Sequence, residues 1–126
     1  IIDRFDLRIL VVDDSTISKM ILREQLEQFG SIVTLANNGR EAIDISDVFI
    51  FDAIITDLNM PDLDGYEVAQ ALRKKGFTGQ IIGLTGNAYE EEKERGSALG
   101  MNCLLRKPLL LQQLRSLLHS IYKSRR

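Results

Sequence analysis

The chain has one cysteine, one histidine and no excess of positive charge. A lone cysteine, Cys103, excludes an internal disulfide and fits a reducing cytosol. Sixteen Lys and Arg against eighteen Asp and Glu leave a net charge of −2. No basic face is therefore expected, and binding of nucleic acid by this domain is not expected either. No apolar run approaches the roughly 18 residues of a membrane span, so the domain should make no membrane contact. The opening IIDRFDLRILVVDD places acids where a signal peptide needs positive charge, which points to the cytoplasm. Internal repeats, low-complexity segments and linkers are also missing. Residues 1–126 then read as a single domain of ordinary soluble composition, 44% hydrophobic and 27% charged. The first residue is not Met, and the expectation is a domain cut from a longer chain.

What the sequence does have is alternation. Short apolar or β-branched runs predict strands over Arg8–Val12, Ile32–Leu35, Asp52–Thr56, Gln80–Leu84 and Cys103–Leu105. Longer amphipathic runs predict helices over Ser15–Phe29, Asn38–Val48, Gly65–Lys74, Asn87–Leu99 and Leu109–Tyr122. Asn38 with Glu41, Asp64 with Glu67 and Asn87 with Glu90 have the spacing of capping boxes. Gly30 and Gly100 stand where helices should stop. Runs such as Ile9-Leu10-Val11-Val12 and Ala53-Ile54-Ile55 are apolar throughout, which requires burial on both faces. Five β–α units of this kind predict a doubly wound α/β fold, (βα)5, with a five-stranded parallel sheet and helices on both faces.

In such a fold ligands bind beyond the carboxyl ends of the strands. The residues there are Asp13-Asp14, Asp57, Thr85 and Arg106-Lys107-Pro108, all polar but the last. Three carboxylates converging on one edge repel each other unless a cation joins them. Carboxylates, carbonyls and water suit a hard ion, Mg²⁺ first. Lys107 adds a compact positive charge and Thr85 a hydroxyl. Together they suit a transferring phosphoryl group, with a carboxylate as nucleophile. Three acids, a divalent cation and Lys107 sum to a neutral site.

The segments VVDDS (11–15), TDLNMPDLDG (56–65), GLTGNA (83–88) and RKP (106–108), in this order and at these spacings, resemble the receiver domain of two-component response regulators. The likeness covers essentially the whole chain and implies the flavodoxin-like fold. It implies that Asp57 is the phosphoacceptor that attacks a phosphohistidine. Asp14, Asp57 and the backbone carbonyl of Asn59 would ligate Mg²⁺, or Mn²⁺ in its place, with Asp13 acting through metal-bound water. Thr85 and Lys107 would hold phosphoryl oxygens, and the Lys107-Pro108 bond would be cis. The domain would catalyse its own phosphorylation and dephosphorylation. The stretch 83–109 looks most like receivers within hybrid sensor kinases. That implies two partners, the phosphohistidine domain of a histidine kinase and a histidine phosphotransfer domain, and a parent chain anchored in the inner membrane. A stand-alone regulator and a phosphorylation-independent pseudo-receiver are the alternatives. One departure concerns the switch. Receivers usually carry Tyr or Phe three residues before the lysine, and here that residue is Leu104, which leaves Thr85 as the remaining switch element.

Other phosphate chemistries fit less well. A haloacid-dehalogenase-like phosphatase wants D-x-D after its first strand, whereas Asp13 and Asp14 are adjacent. A flavodoxin-like FMN carrier must cradle a phosphate there, and two acids would repel it. His119 reads as a solvated helix residue, Cys103 as a buried thiol and the leucines from Leu109 to Leu118 as core; the isolated domain is expected to be a monomer. Glu91 and Arg95 are spaced to pair on a helix. On the first helix, at about 100° per residue, Ile21, Leu22, Leu26 and Phe29 form an arc expected to face the sheet. Ile17 and Met20 point away from it beside the acid pair. They are the candidate docking residues for a partner helix, with Lys19 and Arg23 as a polar rim.

Overall fold

Strand β1 (Arg8–Val12) is exposed only at its first residue, because both faces of the sheet are covered. Leu10 and Val12 enter one core, Ile9 and Val11 the other, as the two-residue period of a strand requires. The computed structural model describes residues 4–87 and 89–124. The remaining elements are α1 (Thr16–Gln28), β2 (Ile32–Ala36), α2 (Gly39–Val48), β3 (Ala53–Asp57), α3 (Gly65–Lys74), β4 (Gln80–Thr85), α4 (Glu90–Ala98), β5 (Cys103–Arg106) and α5 (Leu111–Ser124). The five strands form one sheet in the order β2-β1-β3-β4-β5, and every pairing is parallel. Leu22 and Leu26 of α1 join Leu114, Leu118 and Ile121 of α5 on one face. Ala42 of α2 and Tyr66, Val68, Ala69 and Leu72 of α3 fill the other. The topology reverses between β1 and β3, and in this architecture that gap carries the ligand site.

Caps fix where the helices begin. The Asp64 side chain accepts from the Glu67 N–H and the Glu67 side chain accepts from the Asp64 N–H, both at 2.9 Å, a complete capping box. Asn38 accepts from the Glu41 N–H at 2.8 Å, but Glu41 reaches back to Asn37 rather than to Asn38. Helix α4 departs from the sequence expectation. It starts at Glu90 rather than Asn87, and it is Glu92 that accepts from the Tyr89 N–H at 3.2 Å. The Asn87 N–H is engaged instead by the Thr85 hydroxyl. Arg95 does not lie along α4 toward Glu91; its guanidinium stands 4.2 Å from the centre of the Tyr66 ring.

Helix α1 also departs. Leu22 and Leu26 face the sheet and Phe29 packs against the core, yet Ile21 is 55% exposed. Lys19 is 3% exposed and belongs to no rim. Its ammonium donates to the Asn37 side chain, and Asn37 donates to Glu41 from its amide group and its backbone. On α5, Leu114 and Leu118 are buried while Leu111, and Leu110 just before the helix, are exposed, so only part of the leucine run is core. Cys103 is half-buried, and burial pushes its thiol up. Among the described residues no helix is long and apolar enough to cross a membrane.

A buried ammonium held by a neutral amide gains little over an apolar chain of similar length. Lys19→Met should therefore leave stability in urea unchanged or raise it by about 1 kcal/mol. A loss of about 3 kcal/mol or more would mean that Lys19 compensates a buried charge.

Candidate functional site

Four strand ends supply the site. Asp13 follows β1, Asp57 ends β3, Thr85 ends β4 and Lys107 follows β5. Strands surrounded by core leave these residues rigidly placed. Asp13, Asp57 and Thr85 are 5%, 6% and 4% exposed, whereas Asp14 is exposed. Carboxylate oxygens of Asp13, Asp14 and Asp57 lie within 4.8 Å of one another. The Lys107 ammonium is 3.0 Å from Asp57 Oδ1 and 3.6 Å from Asp13 Oδ2. Burial pushes the Asp13 carboxyl above its ordinary range, while the Ser15 N–H, 2.9 Å from Oδ1, and Lys107 pull it down.

Backbone contacts hold this arrangement. The Lys107 N–H donates to the Thr85 carbonyl at 2.7 Å, and the Lys107–Pro108 peptide is cis. The Asn87 N–H donates to Thr85 Oγ1 at 3.2 Å and the Asn59 N–H to Asp57 Oδ1 at 3.5 Å. The loop after β3 folds back so tightly that a Cβ on Gly65 would sit 2.6 Å from the Asp57 carbonyl oxygen. No larger residue fits there without moving the Asp57 backbone. Asp62 takes φ 68°, a left-handed conformation that Asp tolerates better than most residues.

The donor set suits a hard divalent cation. It is all oxygen, it carries three negative charges against one ammonium, and two of its three carboxylates are buried. Burying like charges this close is costly unless a cation is available to them. Thr85 and Lys107 stand on the same rim, so the arrangement can bind a metal and a phosphoryl group together. His119 is exposed on α5 with its ring 6.1 Å from that of Phe5, and the fold does not bring it to these acids. Ile17 and Met20 are 73% and 50% exposed on α1. Beside them runs a cleft lined by Ile21, Leu22, Pro108 and Leu109, with Asp13 and Lys107 at its wall. Leu104 is buried against Gly83 and Met101. Sequence reasoning missed Tyr66, whose hydroxyl donates to the Glu92 carbonyl at 3.3 Å. Nothing local in a sequence reports such a contact between two helices.

The family model of the response regulator receiver domain matches residues 9–119. The chain belongs to that family. It is a receiver domain of two-component signalling. Sensor histidine kinase RcsC of Salmonella typhi is 38% identical over 120 residues; the match covers 95% of this chain but only 13% of RcsC. The receiver domain of sensor histidine kinase PA1611 from Pseudomonas aeruginosa, solved with magnesium in its active-site cleft, superposes with a TM-score of 0.86 at 30% identity, covering 94% of this receiver and 99% of that one. The receiver domain of Ssk1 from Saccharomyces cerevisiae, solved with the histidine phosphotransfer protein Ypd1, superposes with a TM-score of 0.85 at 26% identity, covering 95% and 91%.

Repulsion among the acids of this receiver has a measurable cost. With metal chelated, Asp14→Asn should raise stability by about 1 kcal/mol, the scale of two charges about 4 Å apart beside water. Thermal melts in EDTA check this; an unchanged or lowered midpoint would mean that the acids do not repel one another.

Proposed function

We propose that this receiver takes a phosphoryl group from a phosphohistidine onto Asp57 and passes it to a histidine phosphotransfer partner. The observation that carries the reading is a buried Asp57 carboxylate, 3.0 Å from the Lys107 ammonium and clustered with two more acids. In the step, an Asp57 oxygen bonds to phosphorus opposite the imidazole. The phosphorus–nitrogen bond breaks, its electron pair leaves with the ring, and Asp57 becomes an acyl phosphate. Lys107 and the Thr85 hydroxyl donate to phosphoryl oxygens, which offsets their charge. Asp14, Asp57 and the backbone carbonyl of Asn59 would hold Mg²⁺ or Mn²⁺, and Asp13 would reach it through water. When bound, the ion supplies the positive charge that lets a dianionic donor approach three carboxylates. The rigid strand end holds the acceptor in place for in-line attack. In this role the domain promotes its own phosphorylation and dephosphorylation.

The partner assignment draws support from the Ssk1 receiver's crystal complex with Ypd1 and from the sensor kinases to which the chain is similar. It makes this receiver one module of a hybrid histidine kinase, monomeric when isolated and working in the cytoplasm under a membrane-anchored parent. Ile17 and Met20, exposed beside the acid pair, are the residues against which the partner helix would dock, and Ile21 extends that surface. Thr85 is the switch residue, whereas Leu104 has neither a ring nor a hydroxyl to move.

Acetyl phosphate with Mg²⁺ should phosphorylate Asp57 alone. Mass spectrometry of the wild type and Asp57→Asn decides it; a modified peptide lacking Asp57, or uptake undiminished in EDTA, overturns the assignment. Ile17→Glu or Met20→Glu should slow exchange with a histidine phosphotransfer protein about tenfold, if each contributes about 1.4 kcal/mol at the interface. Acetyl phosphate, which needs no docking, should react as before. Equal slowing with both donors would mean damage to the pocket, and no slowing would mean that the surface is inert.

A further inference from the structure

Helix α4 is poorly attached by apolar packing. Its sequence EEEKERGSA is polar all round, and its only buried residue is Gly96. A helix with no apolar face to bury is not held by propensity alone. Two contacts stand out among the described residues, beside Leu99, which packs against the core at the helix's C-cap. One is Gly96, where a Cβ would sit 3.1 Å from the Met101 sulfur. The other is Tyr66 of α3, 6% exposed, with the Arg95 guanidinium 4.2 Å from its ring centre and its hydroxyl donating to the Glu92 carbonyl. A cation over an aromatic face and a phenol hydrogen bond are directional contacts, so they are made in one placement of α4 and lost in another.

Tyr66 is also joined to the acid loop. It directly follows Gly65, where a Cβ would sit 2.6 Å from the Asp57 carbonyl oxygen and whose N–H donates to the Leu58 carbonyl at 3.1 Å. A change at Asp57 that shifts its backbone therefore moves the start of α3. By contrast Leu104, at the position where the family usually has an aromatic switch, is wedged against Gly83, where a Cβ would lie 2.7 Å from the leucine methyl. It has no polar tip to offer α4.

From these contacts we infer that Tyr66 is the positioning residue that couples the state of Asp57 to the placement of α4. The inference rests on Asp57 being the phosphoacceptor. The bistable element is α4 itself: seated, with Arg95 on the ring and Glu92 on the hydroxyl, or released from both. Phosphorylation biases this equilibrium through the Gly65–Tyr66 backbone. The surface that changes is the acidic first turn Glu90, Glu91 and Glu92 together with the exposed Tyr89.

The test is hydrogen exchange of segment 89–98 with and without acetyl phosphate and Mg²⁺, with the extent of modification read on the same samples by intact mass. In the wild type the segment should change its exchange on phosphorylation. In Tyr66→Leu that phosphorylation-dependent change should shrink about threefold or more while mass uptake stays normal, in line with the coupling that single contacts carry. Tyr66→Phe, which keeps the ring beneath Arg95, should retain part of the change. Because Tyr66 is buried, Arg95→Gln provides a surface variant that leaves the core intact, and it should also reduce the change. A merely structural role would alter exchange equally in both states and leave the difference between them intact. Normal uptake with an undiminished change in both Tyr66→Leu and Arg95→Gln overturns the coupling alone. The same holds for a wild type that takes up phosphoryl but leaves 89–98 unaltered. A wild type with no uptake overturns the phosphoacceptor reading, and the coupling falls with it.

Discussion

Three carboxylates within 4.8 Å of one another, two of them buried, at one edge of a parallel sheet are the constraint to which the other parts of the site answer. Such a cluster is unfavourable on its own, because burial and like charge both oppose ionisation. Lys107 offsets part of it by lying between Asp57 and Asp13. Placing that ammonium takes β5, a cis Lys107–Pro108 peptide and a hydrogen bond from Lys107 to the Thr85 carbonyl. Holding Asp57 requires β3 buried at every residue and a glycine at 65, where a side chain would strike its backbone. Stability that a cluster-free sheet would keep is given up here to a charged pocket, as is common at functional sites.

The rest of the fold serves as a frame for that edge. Two cores, one on each face, fix the strand ends relative to one another, so four residues distant in sequence converge without relying on flexible loops. Helix α1 is tied across to the loop after β2 by Lys19 and Asn37, and α3 is sealed by its capping box. Helix α4 is the exception, held by Tyr66 and Gly96 instead of by a buried stripe. A loosely seated helix beside a rigid site is the element most easily moved by what happens there.

The strands were legible because fully apolar runs leave one solution, a sheet covered on both sides. The acids, Thr85 and Lys107 were legible because each directly follows such a run. Four features were not. Helix α4 starts at Glu90, and the Asn87 N–H that a capping box would have given to Glu90 is held by the Thr85 hydroxyl; a spacing rule sees no tertiary competitor. Lys19 looked like a rim residue because a wheel projection cannot know that Asn37 lies beneath it. Ile21 sits at the edge of the arc, where a few tens of degrees separate core from solvent, and it is exposed beside the acid-pocket cleft. Arg73 was also silent. Its guanidinium donates to the carbonyls of Phe77, Gly79 and Gly100 and to Asn102, tying two loops together, a role that only the folded backbone reveals.

The central claim is that Asp57, Lys107, Thr85 and the acid pair form one phosphoryl-binding site that depends on a divalent cation. The most direct measurement is ¹⁹F NMR of the protein with beryllofluoride, a phosphoryl mimic that bonds to a carboxylate oxygen. The account predicts protein-bound fluorine resonances in the presence of Mg²⁺, lost when the metal is chelated and absent in Asp57→Asn. Bound resonances that persist in Asp57→Asn, or that need no divalent cation, would contradict it.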